Sequence, residues 1–189
     1  MNKFKKVLAC LLIFAALAGL TGCRLTPIDA RTIEEIQGTY KLAEYSSVLG
    51  DDEQNLLSAF DFFYIVIAKS GVAFIVYKSA GEDAVSSLEY SYTLQYMSGS
   101  TELIDEIKIR FKMPHSTIEE GLTVNYFTVS PNDSLVCQKI TYLSEESTKN
   151  NRKVVYLSMK HVSREIDLSY IESATGLDID TPVSVNSYN

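Results

Sequence analysis

The chain is built mainly on a two-residue alternation of apolar and polar side chains. In the stretch 88–97, leucines and tyrosines alternate with polar residues, and in 106–113 apolar residues alternate with charged ones. A period of two is typical of β-strands with one buried and one solvated face. The pattern predicts eight strands, at 40–46, 62–68, 72–78, 88–97, 106–113, 122–129, 135–143 and 153–162.

Short connections between these strands predict how they pair. Strands joined by short loops are antiparallel neighbours, so the chain forms a meander. A meander of eight strands has two exposed edges, and closure into a barrel removes both. We therefore predict an all-β fold over residues 31–176, an eight-stranded antiparallel up-and-down barrel. Charges at Lys108, Arg110 and Lys112 on the exposed faces argue against a barrel that spans a membrane.

Three segments outside the strands have helical features. Thr32 and Glu35 have the spacing of a capping box, and Gly38 follows where a short N-terminal helix would end. Residues 51–59 begin with acids and continue with leucines, which predicts a second short helix. Residues 164–176 fit either a strand or a helix, and we favour a helix on the barrel that ends at Gly176.

The N-terminus has the features of an export signal. Three lysines precede an uncharged apolar run from Val7 to Ala18, which is too short to span a bilayer. The following Leu20-Thr21-Gly22-Cys23 resembles a bacterial lipobox. This resemblance implies that Cys23 receives a diacylglyceryl group and becomes the first mature residue. The alternative is an ordinary signal peptide with an incidental cysteine.

The resemblance implies a domain organisation and a location. Residues 1–22 are a signal peptide, 23–30 a lipidated cysteine and tether, 31–176 the barrel, and 177–189 a loose tail. The protein would be anchored through its lipid on the extracytoplasmic side of the plasma or outer membrane of a bacterium. Two or more acyl chains hold a protein stably at a membrane.

Charge and cysteine content narrow the possible partners. Of the 17 Lys and Arg, three lie in the predicted signal, whereas all 24 Asp and Glu lie after it, so the mature chain has a net charge of −10. An acidic surface argues against nucleic acid, and we expect a monomer. With Cys10 removed and Cys23 modified, the mature domain keeps one thiol, Cys137, and cannot form an intrachain disulfide. Cys137 lies in an apolar strand, which favours a buried structural role.

The N-terminal helix runs directly into Gly38-Thr39-Tyr40 at the start of the first strand, and eight meandering strands follow. This arrangement resembles a lipocalin-like (calycin) domain, in which Gly-x-Trp stands at that place. In that family a basic residue near the end of the last strand packs over the tryptophan, so the resemblance implies a barrel-closing pair of Tyr40 and Arg164. The alternative is that Gly38 only ends the helix and Arg164 is a solvated charge.

No catalytic constellation stands out in the sequence. His115 and His161 have no partner at metal-ligand spacing, and there is no Gly-x-Ser-x-Gly motif or Gly-rich phosphate loop. The acids at 51–53, at 82–83 and around 178–180 lack the spacing of a calcium loop and are typical of solvated turns. We therefore predict no enzyme activity, no cofactor and no metal site.

Aromatic residues are the remaining functional signal. The chain has 12 tyrosines, and a tyrosine offers an apolar body with one hydroxyl. Such residues can line a cavity or simply fill the barrel. The predicted lining of a site for a small apolar or amphipathic ligand is Tyr90, Tyr92, Tyr96, Phe111 and Tyr126.

A second hypothesis assigns function to the loops rather than to the interior. Here the barrel is a filled scaffold, and loops 50–61, 79–87 and 144–152 bind another envelope protein, as an inhibitor or an assembly factor does. The state of the interior discriminates between the two hypotheses. Bulky side chains that fill the centre favour the scaffold, and a large cavity favours the carrier.

Overall fold

The computed structural model describes residues 30–49, 52–68, 71–111, 114, 124–130, 134–142 and 152–185. The strands within these ranges are β1 Gly38–Leu49, β2 Asp52–Asn55, β3 Phe60–Ile67, β4 Val72–Ser79, β5 Ser86–Tyr96, β6 Ile104–Arg110, β7 Val124–Ser130, β8 Ser134–Tyr142, β9 Arg152–Ser163 and β10 Val183–Ser184. The helices are α1 Ile33–Ile36, the 3₁₀ helix Leu57–Ala59 and α2 Ser169–Thr175. The predicted signal peptide, Cys23 and the tether up to residue 29 lie outside the described residues.

Eight of these strands close into one antiparallel barrel. Consecutive strands from β3 to β9 pair with one another, and β1 closes the circle by pairing with β3 along one edge and β9 along the other. The predicted eight-stranded antiparallel up-and-down barrel is therefore confirmed. The two remaining strands lie outside the circle, β2 against β1 and β10 against β5. Among the described residues, no helix has the length and hydropathy needed to cross a membrane.

One end of the barrel, which we call the helix end, lies at Gly38 of β1 and Ile67 of β3, which are paired in register. Helix α1 lies at this end and packs Ile36 into the interior. Just before the helix, Arg31 and Ile104 exchange two backbone hydrogen bonds of 3.0 and 2.7 Å. The chain therefore enters the fold beside the start of β6.

The opposite end, which we call the loop end, lies where β1 finishes at Leu49 and β3 begins at Phe60. The segment between them contradicts the helix predicted over 51–59. Instead, β2 folds back on β1 with Ser46 opposite Asn55, and only a 3₁₀ turn follows. The Asn55 side chain accepts a hydrogen bond from the Leu57 N–H at 2.9 Å. An asparagine that bonds the backbone two residues later forms a turn and competes with a helix.

Two irregularities change which side chains of β1 and β3 face inward. The register of β1 against β9 shifts between Leu42 and Glu44, and that of β3 against β4 shifts between Phe60 and Phe62. A bulge inserts one residue and reverses the alternation beyond it. As a result Tyr45 and Phe60 both belong to the cluster of buried apolar side chains inside the barrel, which we call the interior cluster. Their ring centroids are 6.1 Å apart.

The C-terminal segment covers the outside of the barrel. Helix α2 packs Ile171, with Ile179, onto the apolar outer face formed by Tyr64, Val66 and Val76. The helix ends at Gly176 in the left-handed conformation, with φ +70°, so the predicted C-terminal helix is confirmed. In the segment predicted as a loose tail, β10 pairs in parallel with β5, with Val183 opposite Leu88, and Val185 packs against the interior cluster.

At Gly38, β1 lies against β9 with no room for a side chain. Its φ is +139°, and a Cβ there would overlap the Nε2 atom of His161 and the carbonyl oxygen of Ser163. Both the backbone conformation and the space therefore require glycine. This is the physical reason for the glycine in the Gly-Thr-Tyr sequence.

We predict that Gly38→Ala lowers the free energy of unfolding by about 3 kcal/mol or more, because backbone strain and overpacking add. Gly81→Ala is the matched control. Gly81 also has a positive φ, +80°, but nothing lies within 4 Å of the place that an added methyl group would occupy. The control should lose only about 1 kcal/mol. Urea unfolding of both variants measures the difference, and equal losses would contradict the role of the close approach.

Candidate functional site

Three of the five residues predicted to line the barrel lie inside it. Tyr90 and Tyr92 of β5 and Phe111, just after β6, are buried members of the interior cluster. The rings of Tyr90 and Phe111 are 6.0 Å apart. The Tyr92 hydroxyl donates a 2.9 Å hydrogen bond to the carbonyl oxygen of Ala68, so this phenol is held by the barrel itself.

Of the other two predicted residues, one is exposed, and the side chain of the other, Tyr126, lies outside the described part of the structure. Tyr96 lies at the end of β5, where its side chain is 46 % exposed. Tyr126 is paired in register with Lys108, whereas its neighbour Phe127 is paired with Ile107 and is fully buried. Since paired residues share a face of the sheet, Phe127 lies with Ile107 on the interior face. Its ring stacks in parallel on that of Phe111, with centroids 6.4 Å apart.

A second aromatic cluster was not predicted from the sequence. Phe60 contacts Phe63 and Tyr77 with ring centroids 5.3 and 6.0 Å away, and Tyr45 lies on its other side. These rings come together because the irregularities in β1 and β3 bring Tyr45 and Phe60 inward. The only signal in the sequence was the density of aromatics at 60–64, which does not identify the inward face.

Side chains fill the centre of the barrel over the part that the structure describes. Inward-facing residues from all eight barrel strands form one continuous cluster. A cavity large enough for water leaves accessible area on the side chains that line it. Many of the described inward side chains have almost no accessible area, since they are at most 1 % exposed. These are Ile65, Ile67, Ala73, Ile75, Ile107, Ile109, Phe111, Phe127, Leu135 and Met159.

Coverage of the interior is looser toward the loop end. Tyr77 of β4 and Leu88 of β5 pack against the interior cluster but are only partly buried. Burial raises the pKa of the Tyr90 phenol, and the nearby Tyr77 phenol raises it further. Both side chains lie in or against the interior cluster, on neighbouring strands. We call the surface formed by Tyr77, Leu88 and Tyr90 the tyrosine recess.

The predicted barrel-closing residues converge on helix α1. The Tyr40 hydroxyl donates a 2.5 Å hydrogen bond to the carbonyl oxygen of Ile36, and Arg164 donates from Nη1 to the carbonyl oxygen of Glu35 at 2.7 Å. Helix carbonyls at a C-terminus lack partners within the helix, so these two side chains satisfy two of them. The Tyr40 ring meets the ring of His161 edge-on at 4.9 Å.

The other end of α1 is held by its own carboxylate. The backbone N–H and the hydroxyl of Thr32 both donate to Oε2 of Glu35, at 2.9 and 3.0 Å. These hydrogen bonds, that of the backbone first, lower the pKa of the Glu35 carboxyl. Side chains thus fix a four-residue helix that is too short to be stable alone.

The three loops of the alternative hypothesis belong to the loop end. Loop 50–61 joins β1 to β3, loop 79–87 joins β4 to β5, and loop 144–152 joins β8 to β9. Each connection leaves the barrel at the end opposite α1. Residues 50, 51 and 143–151 lie outside the described part of the chain. In the described part, Glu53 and the acids at 82–83 are exposed.

Groups able to carry chemistry are dispersed. Cys137 is buried in the interior cluster. The ring of His161, on β9, packs against the ring of Tyr40. In the parts of the chain that the structure describes, no group of three His, Cys, Asp or Glu side chains is placed to hold a metal ion. His115 lies outside those parts. The features that do come together are the filled interior, the tyrosine recess and the loops around it.

Comparisons of the chain with protein-family models, with curated proteins and with solved structures found no match.

We predict that Tyr40 and Arg164 stabilise the fold cooperatively through α1. Tyr40→Phe should cost about 1–2 kcal/mol and Arg164→Ala about 1 kcal/mol. The double variant should lose at least about 0.5 kcal/mol less than the sum, because loss of either bond already loosens the helix. Urea unfolding gives the three values. Arg164→Ala combined with Tyr45→Phe, near the loop end, should be additive, and additivity in both pairs would contradict the shared role.

Proposed function

We propose that this protein is a lipid-anchored, non-enzymatic barrel of the bacterial cell envelope that binds another envelope protein through its loop end. The filled interior is the observation that carries this proposal. Buried side chains from all eight barrel strands occupy the described centre of the barrel, so packing and not a large ligand fills it. A rigid, filled barrel is a suitable scaffold for loops that bind a partner.

The anchor part of the proposal depends on the sequence Leu20-Thr21-Gly22-Cys23, which resembles a lipobox. The structure is compatible with it because Arg31, eight residues after Cys23, is joined to the barrel by its hydrogen bonds to Ile104 at the helix end. An anchor at Cys23 would therefore hold the helix end toward the membrane. The loop end, on the opposite side, would face outward, where a partner can reach it.

The partner's chemistry follows from the charge at the loop end. The described exposed charges there include the acids Glu53, Glu82 and Asp83 against one cation, Arg110, at the end of β6. The Asp61 carboxylate is paired with Lys78 at 3.2 Å. An acidic rim selects a partner with a complementary basic surface and speeds its association at low salt. We therefore propose a protein with a basic face as the partner class.

A second candidate function rests on the tyrosine recess. Tyr77 and Leu88, on neighbouring strands, remain partly exposed against the cluster that contains the buried Tyr90, and phenols beside an apolar wall can bind a small amphipathic molecule. A lipocalin-like domain is also expected to have this order of elements: a helix before the first strand, a closed barrel, and a helix after the last strand of the barrel. Under this alternative, the floor of the barrel is filled and a shallow cup at its mouth binds the ligand.

Lipid attachment is tested by metabolic labelling of the full chain with an alkyne analogue of palmitate. The wild-type protein should incorporate the label, and Cys23→Ala should not, because the thioether forms on that sulfur. Cys137→Ala is the matched control and should keep the label, since Cys137 is buried in the barrel. Labelling that survives Cys23→Ala would contradict the anchor.

Binding at the loop end is tested by photo-crosslinking of the full chain in cells of its source. A photoreactive residue at Glu82, on the loop end, should give a discrete adduct with a second protein. The same residue at Thr93, exposed on the outer face of β5, is the control and should give none. No adduct at position 82, together with a releasable small molecule in native mass spectrometry of residues 24–189, would favour the carrier instead.

A further inference from the structure

An exposed apolar cluster lies at the turn between β5 and β6. Tyr96, Met97 and Leu103 are 46, 40 and 37 % exposed, and they are three of the five most exposed large apolar side chains in the described residues. The Met97 N–H donates a 2.8 Å hydrogen bond to the carbonyl oxygen of Leu103, and Tyr96 pairs in register with Ile104. The three side chains therefore belong to one hairpin tip, which we call the apolar tip.

The apolar tip lies next to the place where the chain enters the fold. Ile104, the residue after Leu103, exchanges both of its backbone hydrogen bonds with Arg31. From Cys23 to Arg31 the chain can extend at most about 28 Å. A lipid on Cys23 would therefore keep the start of β6, and the apolar tip with it, close to the bilayer surface.

The chemistry of the tip matches the interfacial zone of a bilayer. A tyrosine places its ring at the level of the head groups, and methionine and leucine side chains can enter the acyl boundary beside it. The exposed charges nearby are the acids Glu34, Glu35 and Glu102 against the cation Arg164, so they give no net attraction to anionic lipid. Contact would therefore depend on apolar burial and not on charge.

We propose that the apolar tip of Tyr96, Met97 and Leu103 is a membrane-contact site, which inserts into the surface of the same bilayer that holds the N-terminal lipid. This inference rests on the proposed lipid anchor. The anchor alone would leave the barrel free to rotate on its tether. The tip adds a second point of contact, so it fixes the orientation of the barrel with the loop end outward.

The absence of tryptophan from the sequence provides a clean test. The lipidated full chain is reconstituted into phosphatidylcholine vesicles whose lipids carry bromine near the head-group end of the acyl chains. A single Met97→Trp reporter should lose fluorescence at least about twofold, because bromine quenches an indole at interfacial depth. Leu103→Trp should behave in the same way. Val183→Trp, exposed in β10 on the side of the barrel, is the control and should remain bright.

The possible failures are distinguishable. Equal, weak quenching of all three reporters in protein that floats with the vesicles would overturn the contact site and leave the anchor intact. Protein that does not float would overturn the anchor and the inference built on it. Quenching of the tip that disappears at high salt would also overturn the inference, because apolar insertion is insensitive to screening. Urea midpoints equal to that of the wild type show that each reporter variant is folded.

Discussion

The approach of β1 to β9 at Gly38 is the contact on which the rest of the structure depends. The missing side chain lets the Gly38 backbone fit against His161 and Ser163, and the ladder between the two strands closes the barrel from there. The same approach fixes the next two residues. Thr39 is buried and bonds the carbonyl oxygen of Glu165 at 2.9 Å, and Tyr40 reaches back to α1. The same residues of β1 therefore close both the sheet and its helix end.

The strands and their order could be predicted because side-chain alternation is a local property of the sequence. The alternation of 88–97 correctly placed Tyr90 and Tyr92 in the interior, and Gly176 correctly marked the end of α2. The inward side of β7 could not be predicted in the same way. Tyr126 and Phe127 are both aromatic, and only pairing with β6 puts Phe127 on the buried face.

The loop-end aromatics show why part of the candidate site escaped prediction. Tyr45 and Phe60 face inward only because each strand has a register shift close to these residues. A bulge is a backbone feature, and no single residue in these strands indicates it. The same applies to β2, which exists because β1 continues far enough for a partner to fold back on it. Long-range pairing and not local propensity decides both cases.

The two hypotheses about function place the binding site on different parts of the barrel. The buried side chains inside the described part of the barrel supply its packing, and the less covered loop end is where specificity can vary without disturbing that packing. The tyrosine recess lies on the boundary between the two. A partner protein and a small ligand would therefore compete for neighbouring surfaces, even though they use different chemistry.

The outer covering by α2 has a consequence for the timing of folding. Residues 62–76 present an apolar outer face that Ile171 and Ile179, near the end of the chain, cover. Closure of the barrel likewise joins Thr39 to Glu165, 126 positions later. Contacts so distant in sequence make folding slow, because a long loop must close before they form. Neither the closed circle of strands nor its outer covering can therefore be completed until almost all of the chain is available.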